Sequence, residues 1–353
     1  MNKATYHQER NRTLTARLRS LQKELPPYCT TFFRGIADTT AIYTRVHYAY
    51  DIRTFFRFLI DELLPDKPAV KDIPLDALDA LVTTDIEQYL DYLNLYETNS
   101  HTVENQARGK SRKLAALRTF FKYLYQRDMI QQNVTEKVNF PKLSEKPIIR
   151  LDADEVKRLL ETAETGAGLS PRERKYHLFT ISRDVAILTL LLGTGIRISE
   201  CVGLDCNHFD FRDNSFVVTR KGGDRVVLFF GNEVAEALKE YIANREKLIP
   251  VEGHENAFFL SLQRKRMGVR TIENMVKKFS SIATPLKHIT PHKLRSTFGT
   301  SLYRRTGDIY LVADVLGHAD VNTTKKHYAA ISEDARKYAA QQVQLREERE
   351  EDE

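Results

Sequence analysis

The chain has 353 residues, 42% hydrophobic and 29% charged, the balance of a globular protein and length for about two domains. No run of 18 apolar residues occurs, the polar start MNKATYHQERNR lacks the apolar core of a secretory signal, and three cysteines (Cys29, Cys201, Cys206) exclude a disulfide framework, so a cytoplasmic location without a membrane span is expected. The net charge is +6, and because the final eight residues, REEREEDE, carry −4, the preceding 345 carry +10, which fits either a polyanionic partner or an ordinary solvated basic surface.

Residues 1–25 carry Leu14, Leu18, Leu21 and Leu25 at helical spacing, which predicts a helix stopped by Pro26 and Pro27. From about Thr40, the residues Tyr43, Val46, Tyr50, Ile52, Phe55, Phe56, Phe58 and Leu59 predict a long buried helix. Residues 83–95 predict a third, started by a threonine cap. Residues 103–127 predict a fourth, with Leu114, Leu117, Phe120, Phe121 and Leu124 inward. Its first turns carry Arg108, Lys110, Arg112 and Lys113. Residues 1–130 thus read as an all-helical domain with a basic element.

Residues 131–150 hold two prolines and little periodicity, and read as a linker. A second domain opens near Leu151 with a capped helix, LDADEVKRLLETAE, and continues with an apolar helix over 183–192 that ends at Gly193. Segments 216–219 and 225–230 are β-rich and joined by 220–224, the pattern of a hairpin. From about Thr271 onward the pattern is helical again. The expected fold class is mainly α (α+β), with a helical N-terminal domain and a mostly helical second domain holding a small antiparallel sheet.

Four short motifs have chemical potential. In GTGIRISE, Arg197 follows two glycines; glycine lets backbone approach a ligand, and an Arg fork suits a phosphate. In TPHKLRS, Thr290 and Pro291 start a helix whose first turn carries His292 and Arg295, so one anion can meet both side chains and the helix N-terminus. In VLGHADVNTTKKHY, a helix ends at Leu316 and Gly317, His318 follows the turn, and Asn322 can cap a short helix holding His327 and Tyr328. The hairpin tip RKGGDR presents Lys221. Each of these has a purely structural alternative when taken singly.

Taken jointly and in this order, over about 130 residues, Arg197, Lys221, His292-x-x-Arg295, Leu316-Gly317-His318 and Tyr328 resemble the tyrosine recombinase (phage integrase-like) family, most closely its Xer-type bacterial members. The resemblance covers residues 151–331 as catalytic domain. Residues 1–130 resemble the family's core-binding domain more loosely. It implies that Arg197 and Arg295 clamp the scissile phosphate and that Lys221 protonates the leaving 5′ oxygen. His292 and His318 would bond the phosphate and assist proton transfer, and Tyr328 would attack to form a 3′-phosphotyrosine. The family places its tyrosine nine residues after the Leu-Gly-His histidine. Here Tyr328 follows by ten and His327 holds the ninth place, while Tyr310 precedes the motif and Tyr338 lies far beyond it.

The resemblance also implies a site-specific recombinase that works without ATP, metal or other cofactor, as a tetramer on two DNA duplexes. No Walker motif is present, and Cys201 and Cys206 lack partner ligands at zinc spacing. Double-stranded DNA with a specific site is the expected partner. Arg108, Lys110, Arg112 and Lys113 are candidate contacts, against a solvated basic face as the alternative; Arg264, Lys265 and Arg266 form a second basic run. Residues 332–353 would dock on a neighbouring protomer, or else fold back on their own domain. Competing functional readings are a type IB topoisomerase-like relaxing enzyme and a catalytically inert DNA-binding regulator.

Overall fold

Leucines repeating at helical spacing build α1 (Tyr6–Gln22), with Leu18 and Leu21 buried. This is a computed structural model, and it describes residues 6–64, 66, 69–98, 101–144, 148–220, 223–318 and 320–322. The chain divides into two compact units, Met1–Lys146 and Pro147–Glu353.

In the first unit, the two prolines after α1 do more than stop it. Pro26 caps and Pro27 opens α2 (Pro27–Gly35), at the position where a missing N–H costs nothing. The long apolar run forms α3 (Ile42–Phe58), which continues into a π turn at Leu59–Leu63. A short α4 (Asp76–Asp79) and α5 (Thr83–Tyr92) follow. Thr83 is not the cap of α5: Val82 holds that place, and its N–H donates to Asp85 at 2.8 Å. The expected all-helical pattern is then broken by a hairpin of β1 (Leu95–Thr98) and β2 (His101–Glu104) before α6 (Ala107–Tyr125). The core is aromatic: Phe32, Phe55, Phe56, Phe58, Tyr89 and Phe120 are fully buried. Their rings meet edge-on, as at Phe32–Phe120 (5.1 Å) and Phe55–Tyr89 (5.2 Å), the geometry that ring quadrupoles favour.

The segment read as a linker is only partly outside the first unit. Val134 and Val138 are buried in its core beside Ile130. Arg118 of α6 donates to the carbonyls of Thr135 (3.1 Å) and Val138, so residues 134–138 are held as a turn against α6.

The second unit opens with α7 (Ala153–Thr165). Asp152 and Glu155 form a reciprocal capping box at 2.8 and 2.9 Å, and the Leu151 N–H donates to Thr297 at 3.0 Å. Next come α8 (Pro171–His177) and α9 (Ile181–Thr194), whose Ala186, Ile187, Leu188, Leu190 and Leu191 are buried. Helix α9 runs past Gly193 and ends at Gly195, which has φ +63°. Gly193 instead makes room for Val234, which a Cβ there would strike. After α10 (Ile198–Val202), β3 (Phe209–Asp210), β4 (Ser215–Thr219) and β5 (Arg225–Phe229) form an antiparallel sheet in the order β3-β4-β5, the expected hairpin plus a short edge strand. Helices α11 (Asn232–Arg245), α12 (Val269–Ala283), α13 (Pro291–Thr306) and α14 (Ile309–Leu316) complete the described part, and α9 packs against α7, α11 and α13. No single described helix is long and apolar enough to cross a membrane; α8 and α9 reach that length only as a pair bent by 82°.

Candidate active site

A helix ends with carbonyl groups that have no partner inside it. In α14 those groups are taken by arginines from three other elements. Arg197, the residue capping α10, donates from Nη2 to the Gly317 carbonyl at 2.9 Å. Arg295, on the first turn of α13, donates from Nη2 to the Leu316 carbonyl and from Nη1 to the Gly195 carbonyl at 2.5 Å. Arg220, at the end of β4, donates to Val315 at 3.0 Å and to Asp314 at 3.4 Å. The negative end of the α14 dipole faces three guanidiniums, the favourable sign. The Nε of Arg220 is buried without a partner among the described residues, which costs about 1–3 kcal/mol.

Local sequence explains each placement. Gly195 ends α9 in the left-handed region, and a Cβ there would run into Phe298 and Leu316. That tight turn leads directly into Arg197. Glu200 then holds Arg197 twice, accepting its backbone N–H at 2.8 Å and its Nη1 at 2.9 Å. Glu200 is buried. The place of Glu200 three residues after Arg197 is the only sequence sign of this role. Leu316 is buried against Val312, Phe298 and Leu302. Gly317 closes α14 with φ +61°, and His318 follows, its N–H donating to Ala313 at 2.9 Å.

The structure therefore brings Arg197, Arg295 and the Leu-Gly-His turn together. His292 shares the first turn of α13 with Arg295, but is exposed whereas Arg295 is buried. Thr290 takes the cap position of α13 without a side-chain cap bond, and Pro291 is its first residue. Lys221, His327, Tyr328 and residues 332–353 lie outside the described residues. Arg220 was an inconspicuous hairpin residue in the sequence, and the structure gives it a fixed place. An arginine carries five N–H donors, more than the bonds of Arg197 to Glu200 and Gly317 occupy. Two guanidiniums anchored on one turn, with Arg295 at the positive N-terminal end of α13, are suited to a phosphodiester and to the extra charge of its transition state.

Comparison with known proteins decides the family. The phage integrase family matches residues 149–334, more than half of the chain. The tyrosine recombinase XerC of Caldanaerobacter subterraneus subsp. tengcongensis is 32% identical over 290 residues, 79% of this chain and 75% of that protein. The tyrosine recombinase XerS of Streptococcus uberis is 30% identical over 357 residues, 94% of this chain and 99% of that protein.

The chain belongs to the phage integrase family.

Solved structures share the phage integrase fold at lower identity. The Tn1549 transposon integrase in complex with circular intermediate DNA matches with TM-score 0.62 and 19% identity, over 85% of this chain and 94% of that one. A lambda integrase dimer bound to a COC′ core site matches with TM-score 0.61 and 19% identity, over the same shares.

Not every basic residue singled out in this phage integrase family chain is available to DNA. On α6, Arg108 and Arg112 are exposed, one turn apart. Lys113 is not: it is buried and pairs with the buried Asp51 of α3 at 3.3 Å. Arg112 also reaches Asp51, and Lys110 donates to Asn94. Lys113 falls on the inward stripe with Leu114 and Leu117, where a buried carboxylate needs a counter-charge. Arg266 is likewise structural: it donates to the carbonyls of Val202 (3.0 Å) and Leu204 (2.8 Å) and pairs with Asp205. Arg264 and Lys265 are exposed. Burial pushes the Cys201 thiol well above its usual range, the signature of an inert structural cysteine.

Proposed function

We propose that this chain is a site-specific DNA recombinase that cuts and rejoins strands through a 3′-phosphotyrosine. The observation that carries the reading is the anchoring of Arg197 and Arg295 on adjacent carbonyls of the turn that leads into His318. Membership of a family whose relatives include XerC and XerS supports it.

In this reading, Arg197 and Arg295 bind the two non-bridging oxygens of the scissile phosphate. The Tyr328 oxygen attacks phosphorus, and its proton passes to a neighbouring imidazole, His318 or His292. The bond from phosphorus to the 5′ oxygen breaks, and Lys221 gives that oxygen a proton. Two guanidiniums favour both the phenolate and the five-coordinate transition state. The covalent link keeps a phosphodiester-like bond for rejoining when a 5′ hydroxyl attacks in reverse, so the cycle is balanced without ATP, and the arginines and lysine supply the charge stabilisation.

The assignment of units follows the same reading. The first unit binds duplex DNA, with Arg108 and Arg112 as its exposed α6 contacts, and the second unit performs catalysis. Residues 332–353 dock on a neighbouring protomer, and a tetramer forms on two duplexes. The working location is the cytoplasm.

The test is a covalent trap. Wild type and Tyr328→Phe are mixed with sheared DNA from the protein's own source, denatured, and protein-linked fragments are sequenced. Fragments linked to wild type alone and sharing one sequence are expected, and they also identify the site. Linkage surviving in Tyr328→Phe moves the nucleophile elsewhere, and good binding with no linkage to either protein overturns the enzymatic reading. Supercoil relaxation without site preference overturns recombination in favour of a topoisomerase.

A further inference from the structure

We propose that Arg220 is a positioning residue for the leaving-group proton: it docks the hairpin that carries Lys221 onto the C-terminal turn of α14, beside His318. The proposal rests on the reading of Lys221 as the proton donor.

Arg220 is tied at both ends. Its backbone N–H donates to the Asp224 carbonyl at 2.8 Å, and its own carbonyl accepts from Gly223 at 3.1 Å, so it closes the turn between β4 and β5. Its side chain crosses to residues 94 and 95 positions further along the chain, donating to Asp314 and Val315. A long, charged side chain at a hairpin end is ordinarily free in solvent; here it is fixed by main-chain oxygens.

Gly317 shows that the space is reserved. Its φ of +61° already favours glycine, and a Cβ there would collide with the Arg220 guanidinium. The same short turn receives Arg197 through the Gly317 carbonyl. One turn thus sets the phosphate clamp and the hairpin in a common frame. Lys221 follows Arg220 directly in the sequence, so the contacts that hold Arg220 act on the residue next to the proposed proton donor.

The test compares leaving groups on the site recovered by the covalent trap. One substrate carries the ordinary 5′ oxygen at the scissile phosphate; the other carries a bridging 5′ sulfur, which departs as a thiolate without needing a proton. Arg220→Ala should slow single-turnover cleavage of the oxygen substrate by about 10-fold or more, within the range of a general acid. On the sulfur substrate it should fall within about 3-fold of wild type, because the proton step is bypassed. Arg220→Lys, which keeps one charged donor, should regain part of the oxygen rate. Lys221→Ala should show the same selective rescue by sulfur.

Equal slowing of Arg220→Ala on both substrates, or a wild-type rate on oxygen, overturns the coupling. If Arg220→Ala does not fold, Arg220→Lys carries the same comparison, and equal slowing there has the same meaning. Lys221→Ala rescued by sulfur with Arg220→Ala unrescued overturns the role of Arg220 alone. Lys221→Ala slow on both substrates overturns the donor assignment on which the proposal stands.

Discussion

Arg197 and Arg295 donate to consecutive carbonyls of one chain segment, those of Gly317 and Leu316. Their anchor points therefore lie on two adjacent peptide planes that meet at the Gly317 Cα, whose φ of +61° sets the angle between them. Arg295 is fixed a second time, by the Gly195 carbonyl. A lysine cannot bridge two carbonyls as a planar fork does. Arg295→Lys should reduce cleavage by about 10²–10³-fold, with DNA affinity kept within a few-fold. Covalent complex formed per bound DNA measures it. A large affinity loss with normal cleavage per complex would contradict the clamp role.

Glu200 sets the orientation of Arg197 from behind, through two hydrogen bonds to a buried carboxylate. Glu200→Ala frees the guanidinium to swing on its Gly317 contact alone. Single-turnover cleavage should drop by about 10-fold or more, as for other misplaced catalytic groups, while Glu200→Gln, which retains acceptor capacity, should drop less. Equal rates for wild type and Glu200→Ala would show that Gly317 suffices.

Asp51 of α3 and Arg108 of α6 should behave oppositely when replaced. Asp51 is buried between Lys113 and Arg112. Removing its carboxylate leaves the Lys113 ammonium inside the core, a change worth about 3–5 kcal/mol. Asp51→Ala should therefore lower the melting temperature clearly. Arg108→Ala should leave melting untouched and reduce the salt slope of DNA binding by about 1. A stable Asp51→Ala, or a salt slope unaffected by Arg108→Ala, would reverse these assignments.

His177 supplies a pH effect on stability. Burial, and then the nearby Lys278, hold its pKa below the usual imidazole range. Below about pH 6.5 the unfolded chain takes up a proton that the folded chain refuses. Stability present above that pH is lost as acidity rises toward the lowered folded value. Melting temperature should fall over this window in wild type, and the slope should flatten in His177→Leu. An identical slope in both proteins would assign the acid effect to other groups.

Much of the second unit was legible in the sequence because its signals are local. Asp152 and Glu155 lie three residues apart, and the β4–β5 hairpin shows strand alternation broken by glycines. The β1–β2 hairpin was not legible: its strands are four residues each and mostly exposed, so no hydrophobic period marks them. Lys113 read as a surface charge because its partner, Asp51, lies 62 residues earlier. Gly193 and Gly195 compete for the end of α9, and only the position of Val234 on another helix separates their roles. In the site, Arg197, Arg295 and His318 stand out by motif, whereas Glu200 and Arg220 act through contacts that only folding creates.

On α14 and its closing turn, the hydrogen bonds that seat the three arginines go to oxygens of the main chain. Every amino acid presents the same carbonyl, so replacing Asp314 or Val315 leaves the Arg220 acceptors where they are. Only Leu316, which fills a core pocket, and Gly317, which must lack a Cβ, are restricted by side chain on this turn. The helix end works as a generic socket: its identity is written in backbone geometry, and Asp314 and Val315, outside the buried cluster of Val312 and Leu316, are open to redesign without unseating the arginines.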